Sequence, residues 1–201
     1  MSKASKLVVM ASGAGSTLSA IAEAIQIGKL QAQLAGVVVS RQGVGAIDQA
    51  RKFGVPCVVL SPKDFSSHED WDQALSLQVA KWQPDLIALA GFTLLLGSQF
   101  LQRFKGQIVN THPSLLPKYG GKGMYGMKVH QAVVAAKEKQ SGITVHQVTA
   151  EYDEGPIVAQ RQVQIEKNES AESLAERIKS IEKEFYISVL GQLLEENNLN
   201  K

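Results

Sequence analysis

The sequence predicts an α/β fold: a doubly wound, mostly parallel sheet with helices on both faces, ending in a strand pair and a long closing helix. Three observations predict it. Apolar, β-branched runs alternate with stretches of helical spacing. The strand-like runs are almost continuously apolar, as strands covered on both faces are. No internal repeat, low-complexity tract or linker interrupts the 201 residues, so one domain spanning 1–201 is expected.

The elements follow in order. "KLVVMA" reads as a first strand, and Leu18, Ile21, Ala22 and Ile25 keep helical spacing after it. "LAGVVVS" is a second strand, and "GAIDQARKFG" a helix closed by Gly54. "PCVVLS" is a third strand, and Ser66 to Trp82 a helix stopped before Pro84. "DLIALAG" and, after a short helix, "QIVNTH" are the fourth and fifth strands. Val129 to Lys139 reads as a helix, and "GITVHQV" and "PIVAQRQVQI" as the final strand pair. The closing helix has Ser170 as its cap, with Leu174, Ile178, Ile181 and Phe185 on one face.

Composition narrows the function classes. Hydrophobic content is 44% and charged content 20%, ordinary for a globular protein, and net charge is +2. No Lys/Arg run reaches five, which argues against a nucleic-acid partner. Cys57 is the one cysteine, so no disulfide scaffold is expected. The apolar run in "MSKASKLVVM" is too short for a signal-peptide core. No window reaches the roughly 18 apolar residues of a membrane span. A cytoplasmic protein with no membrane contact is the expectation.

"MASGAGSTLSAI" joins the first strand to the first helix. Gly13 and Gly15 permit a tight turn, and Ser16 and Thr17 offer hydroxyls and N–H groups at a helix N-terminus. A dinucleotide fingerprint needs a small residue where Leu18 stands, and an acid where Ser40 and Arg41 stand. The Gly-Lys-Ser/Thr of a nucleoside-triphosphate loop is absent. The single phosphate of a sugar phosphate remains, beside a plain glycine turn that binds nothing. The loop alone does not choose between them.

"IVNTHPSLLPKYGG" carries more chemistry. Asn110 and His112 stand at the carboxyl end of the fifth strand, the ligand-binding edge of such a sheet. Residues two apart in a strand share a face, so both can address one ligand while Thr111 turns away. An amide N–H can hold a developing oxyanion, and an imidazole can carry a proton near neutral pH. Pro113 and Pro117 restrict the backbone that follows. The competing reading is an ordinary loop whose amide and imidazole satisfy backbone groups.

With "SGAGST", "PDLIALAGF" and "EYDEGPIV", the stretch "NTHPSLLPKYGG" resembles the glycinamide ribonucleotide (phosphoribosylglycinamide) formyltransferase family of purine synthesis. The likeness runs from about Lys6 to the closing helix. It implies a Rossmann-like formyltransferase fold and attack by the amine of glycinamide ribonucleotide on the formyl carbon of 10-formyltetrahydrofolate, the co-substrate. By motif position it implies Asn110, His112 and Asp153 as catalytic residues, with protonated His112 stabilising the oxygen of the intermediate and helping deliver a proton to the departing folate nitrogen. Without the resemblance Asp153 reads as a turn residue.

The resemblance further implies Gly15, Ser16 and Thr17 as the sugar-phosphate loop, with Thr17 standing where Asn is common. Lys179 and Glu182 match ribonucleotide contacts, although charges at such spacing are more often a solvated helix face. Thr93, Leu94, Leu95 and Leu96 match the segment lining the folate pocket, as do Thr149, Ala150, Glu151, Tyr152 and Asp153 beside the pteridine; Asn110 adds a folate contact. His68 stands where a folate-contacting Arg is frequent. The glycines from Gly120 to Gly126 suggest a mobile loop near the site.

His146 alternates with apolar residues and reads as structural, and His130 has no partner by spacing. No His/Cys/Asp/Glu cluster has metal-ligand spacing, so no metal is expected. Small-molecule substrates and a monomer or homodimer are expected. Two related activities compete. A formyltransferase acting on aminoacyl-tRNA calls for a further carboxy-terminal domain, where this chain has "EEN". A formyltetrahydrofolate hydrolase calls for a regulatory domain before the first strand. A non-catalytic sugar-phosphate binder would have no use for Asn110, His112 and Asp153 together.

Overall fold

The computed structural model describes residues 4–199. Strand β1 (Lys6–Ala11) leads into helix α1 (Ser16–Gln26), β2 (Gln33–Val39) into α2 (Gly45–Lys52), and β3 (Cys57–Val59) into α3 (His68–Trp82). β4 (Leu86–Leu89), α4 (Ser98–Arg103) and β5 (Ile108–His112) follow, then α5 (Met127–Ala135), β6 (Gln140–Gln147), β7 (Ile157–Gln164) and α6 (Ala171–Leu199). The strands form one sheet in the order β3-β2-β1-β4-β5-β6-β7. β1 to β5 pair in parallel, and β6 and β7 antiparallel. Among the described residues, no helix is long and apolar enough to cross a membrane.

The two faces of the sheet can be read off β1. Leu7, Val9 and Ala11 point to the side covered by α1, α2 and α6, and Val8 and Met10 to the side covered by α3 and α4. Tyr186 pins α6 to the sheet: it is fully buried, and its hydroxyl lies 3.1 Å from the Leu89 carbonyl and 3.0 Å from that of Val109.

The strand order reverses between β1 and β4, so the loops after these strands part and leave a crevice at their carboxyl ends. Several boundaries differ from expectation. α5 starts at Met127 and stops at Ala135, because Gln140 and Ser141 already pair with β7. α3 starts at His68 rather than Ser66, because Ser67 caps it, its hydroxyl accepting from Asp70 N–H at 3.1 Å. β3 is only three residues long, followed by a 3₁₀ turn at Pro62–Asp64.

Candidate active site

A cleft of about 990 Å³ occupies this crevice. Its walls are the loops after β1, β4 and β5, the 121–127 segment, Tyr152 and Asp153 from the β6–β7 turn, and one face of α6. Asn110, His112, Asp153, Gly15, Ser16, Thr17, Thr93, Lys179 and Glu182 all line it.

β5 delivers Asn110 and His112 from one face, as the period of two predicts. The loop behind them is stapled to the neighbouring strands. Thr144 of β6 donates to the Ser114 carbonyl at 2.7 Å and accepts from Leu116 N–H at 3.0 Å. Gln160 of β7 donates to the Leu116 carbonyl at 2.9 Å. The Leu116–Pro117 peptide is cis.

His112 lies between two acceptors. Its Nε2–H donates to the Tyr119 carbonyl at 2.8 Å, and its Nδ1 faces Asp153 Oδ2 at 3.4 Å. A carbonyl can only accept, so Nε2 carries the proton of the neutral ring and Nδ1 is the atom that gains one. Burial holds the His112 pKa below the ordinary imidazole value; Asp153 and the Tyr119 carbonyl pull it back up, and His146 pushes it down.

Asp153 has a left-handed backbone (φ 59), and its Oδ2 accepts from Gly121 N–H at 3.0 Å. Burial raises its pKa, but His146, His112 and the Gly121 N–H outweigh that and leave it below the usual carboxylate value. A side chain at Gly155 would collide with the Gln147 carbonyl, so the turn carrying Asp153 requires glycine there.

His146, read from the sequence as structural, belongs to this cluster. It stands opposite Asn110 in the β5–β6 pair. Its Nε2 lies 3.2 Å from Asn110 Nδ2 and 3.5 Å from Asp153 Oδ1. Only pairing with β5 brings it here. His130 was missed too. It is buried at the cleft wall, its Nδ1 has no hydrogen-bond partner, and burial followed by the charge of His112 lowers its pKa.

The loop after β1 lines the cleft, and its glycine has a packing reason of its own. Gly15 caps α1 at φ 78, and a Cβ there would lie 2.6 Å from Ala46 Cα. Close packing of α2 therefore demands glycine before any ligand does. No side chain caps α1 and its first turn has no acid, so its N–H groups open on the cleft that Lys179 and Lys183 share.

Glu176 and Glu182 are the acids that α6 adds to that wall, and Glu182 is the more buried. Burial raises its pKa; the Thr111 hydroxyl, Lys183 and Lys179 work against the rise. Thr111, expected to turn away from the ligand, also lines the cleft, on the side where its hydroxyl approaches Glu182 of α6. Its hydroxyl is buried near Glu182 without a closed hydrogen bond.

The remaining folate candidates are more scattered. Thr93 lines the cleft and its N–H donates to Ser12 Oγ at 3.2 Å. Leu94, Leu95 and Leu96 continue from it toward Gly97, where the Asp72 carboxylate accepts from Gly97 N–H at 3.0 Å and Gln99 N–H at 2.9 Å. Leu96 is buried in the core. His68 is exposed and its Nε2–H donates to the Leu95 carbonyl at 3.2 Å, which makes it an anchor for this segment. Tyr152 lines the cleft, while Thr149, Ala150 and Glu151 lie farther along the turn and are not part of its wall. Among the described residues, no group of three or more His, Cys, Asp and Glu could hold a metal ion.

A doubly wound sheet with an amide, imidazoles and a carboxylate gathered above its strand ends defines an α/β protein built to act on a small molecule in that cleft. The chain belongs to the formyl transferase family, whose sequence pattern matches residues 5–190. It is 36% identical over 193 residues to phosphoribosylglycinamide formyltransferase of Bacillus subtilis, covering 96% of each chain. It is 40% identical to the chloroplastic phosphoribosylglycinamide formyltransferase of Vigna unguiculata over 95% of this chain, but spans only 61% of that relative's length. Its fold is similar to the crystal structure of glycinamide ribonucleotide transformylase 1 from Geobacillus kaustophilus, with a TM-score of 0.87 and 38% identity over 96% of this chain and 100% of that one.

Proposed function

We propose that the protein transfers the formyl group of 10-formyltetrahydrofolate to the amine of glycinamide ribonucleotide, giving N-formylglycinamide ribonucleotide and tetrahydrofolate. The observation that carries this reading is the convergence of Asn110, His112 and Asp153 in the cleft that also receives the uncapped N-terminus of α1. The phosphate sits at Gly15, Ser16 and Thr17, and Lys179 and Glu182 hold the rest of the ribonucleotide. The folate enters beside Thr93 and the Tyr152–Asp153 end of the β6–β7 turn.

The amine attacks the formyl carbon, and the electron pair of its C=O moves to oxygen. An Asn110 N–H stabilises that oxygen, and His112 adds a positive charge once its Nδ1 has taken a proton. The attacking nitrogen gives up one proton. Collapse of the intermediate breaks the bond to the folate nitrogen, which takes one proton. His112 Nδ1, beside Asp153, is placed to relay it. No step calls for a metal.

The test is tetrahydrofolate release from 10-formyltetrahydrofolate with glycinamide ribonucleotide, methionyl-tRNA, an amino-sugar nucleotide, or no acceptor. Release should depend on glycinamide ribonucleotide alone. Comparable release without acceptor would make the protein a hydrolase, and formylation of tRNA would replace the acceptor while leaving the chemistry.

A further inference from the structure

We propose that Tyr119 and Glu138 are positioning residues for His112: the Tyr119–Glu138 hydrogen bond holds in place the carbonyl that orients the imidazole. The inference rests on His112 carrying the proton of formyl transfer.

Tyr119 has a left-handed backbone (φ 59). That conformation is unfavourable for a bulky side chain and persists only where its surroundings hold it. Its carbonyl accepts His112 Nε2–H at 2.8 Å, so any relaxation of this backbone moves the acceptor that sets the ring's tautomer and angle. Packing does not hold the residue on one side. A cavity of about 120 Å³ borders it, lined also by Leu115, Val133, Gln140 and Ser141. The Ser141 hydroxyl is buried without a partner.

On its other side the ring packs against the cluster of Val133, Ile143, Val163, Leu174 and Ile178, and a hydrogen bond adds to that hold. The Tyr119 hydroxyl donates to Glu138 Oε1 at 2.9 Å, and Lys118 Nζ donates to the same oxygen at 2.9 Å. Glu138 sits just before β6, the strand whose Thr144 staples the other end of the same loop. The Lys118 bond, then the Tyr119 bond, hold Glu138 below the usual carboxylate value, so it is charged at neutral pH. The loop around Pro117 is thus tied at Leu116, at Lys118, whose carbonyl accepts from the Ser114 hydroxyl at 2.7 Å, and at the Tyr119 hydroxyl, next to the carbonyl that meets His112.

Tyr119→Phe removes the hydroxyl and keeps the ring. It should lower kcat about three- to tenfold, the range of one lost hydrogen bond, and leave both KM values within twofold. Glu138→Ala should do the same, the double variant should be no slower than either single one, and Glu138→Gln, which still accepts from Tyr119, should stay near wild type.

The second readout needs no activity. The His112 imidazole is followed by NMR titration in wild type and Tyr119→Phe, where its other charged or titratable neighbours, Asp153, His146 and His130, are unchanged. The titration should move to lower pH as the Tyr119 carbonyl drifts from Nε2. An unmoved titration together with unchanged kcat overturns the proposal, as does a double variant whose losses multiply. If wild type itself transfers no formyl group, the proposed function fails, and a moved titration still establishes the positioning.

Discussion

Asn110 donates from its side-chain amide to His146 Nε2 at 3.2 Å across the β5–β6 pair. The direction follows from the far side of the ring, where His146 Nδ1–H donates to the Gln147 carbonyl at 2.9 Å and leaves Nε2 as the acceptor in the neutral form. An amide so held presents its remaining N–H in a fixed direction. His146→Asn can still reach the Gln147 carbonyl but has no atom at the Nε2 position. Its kcat should fall about tenfold to a hundredfold, short of the roughly 100- to 1,000-fold expected for Asn110→Ala. In an Asn110→Ala background the His146 change should add little. Multiplying losses would mean that His146 acts through Asp153, 3.5 Å away.

His112→Asn removes the proton carrier while leaving a polar side chain. Turnover should fall roughly 100- to 10,000-fold with little change in either KM. Near-wild-type turnover would remove His112 from the proton path.

Asp153→Asn deletes the charge that favours the His112 imidazolium. The limb of the kcat–pH profile that reports His112 should move to lower pH. A large rate loss with an unmoved limb would assign Asp153 to holding the Gly121 backbone or the folate instead.

Acid should destabilise the fold through the buried imidazoles. Burial holds His112 and His130 below their ordinary value, so each binds fewer protons folded than unfolded. Their contribution is complete above about pH 6.5 and is lost as pH falls from there toward the folded values. Asp153, depressed, adds a loss in the same direction at lower pH, whereas Glu182, raised, works the other way above its unfolded value. The Tm should therefore drop between about pH 7.5 and 5.5, and more shallowly in His112→Asn. An identical slope in the variant would show that His112 is not a source of it.

Gly15→Ala tests packing against binding. The new Cβ meets Ala46 Cα at 2.6 Å on a backbone at φ 78. A loss of about 1 kcal/mol or more, read as a lower Tm, should accompany a higher KM for the ribonucleotide. Lys179→Ala, on the exposed face of α6, should raise that KM with Tm unchanged. A Gly15→Ala protein of wild-type Tm would contradict the close approach of α2.

The sequence by itself determined the alternation of strands and helices, the two-faced burial of the parallel strands, and the shared face of Asn110 and His112. These depend on the spacing of neighbours along the chain, and a period of two or 3.6 is local information. The motif likeness also pointed to Asp153, which does stand 3.4 Å from His112. Tertiary structure alone decided the rest of the cluster. His146 alternates with Ile143 and Val145 like any buried strand residue; it reaches the site because β6 pairs antiparallel with β5 in one register, and a one-residue slip would turn it to the other face. His68 became an anchor for Leu95 because two loops meet in space. Gly15 proved necessary for the packing of α2, a contact between residues far apart in the chain, because what a glycine must avoid is set by the atoms that fold against it.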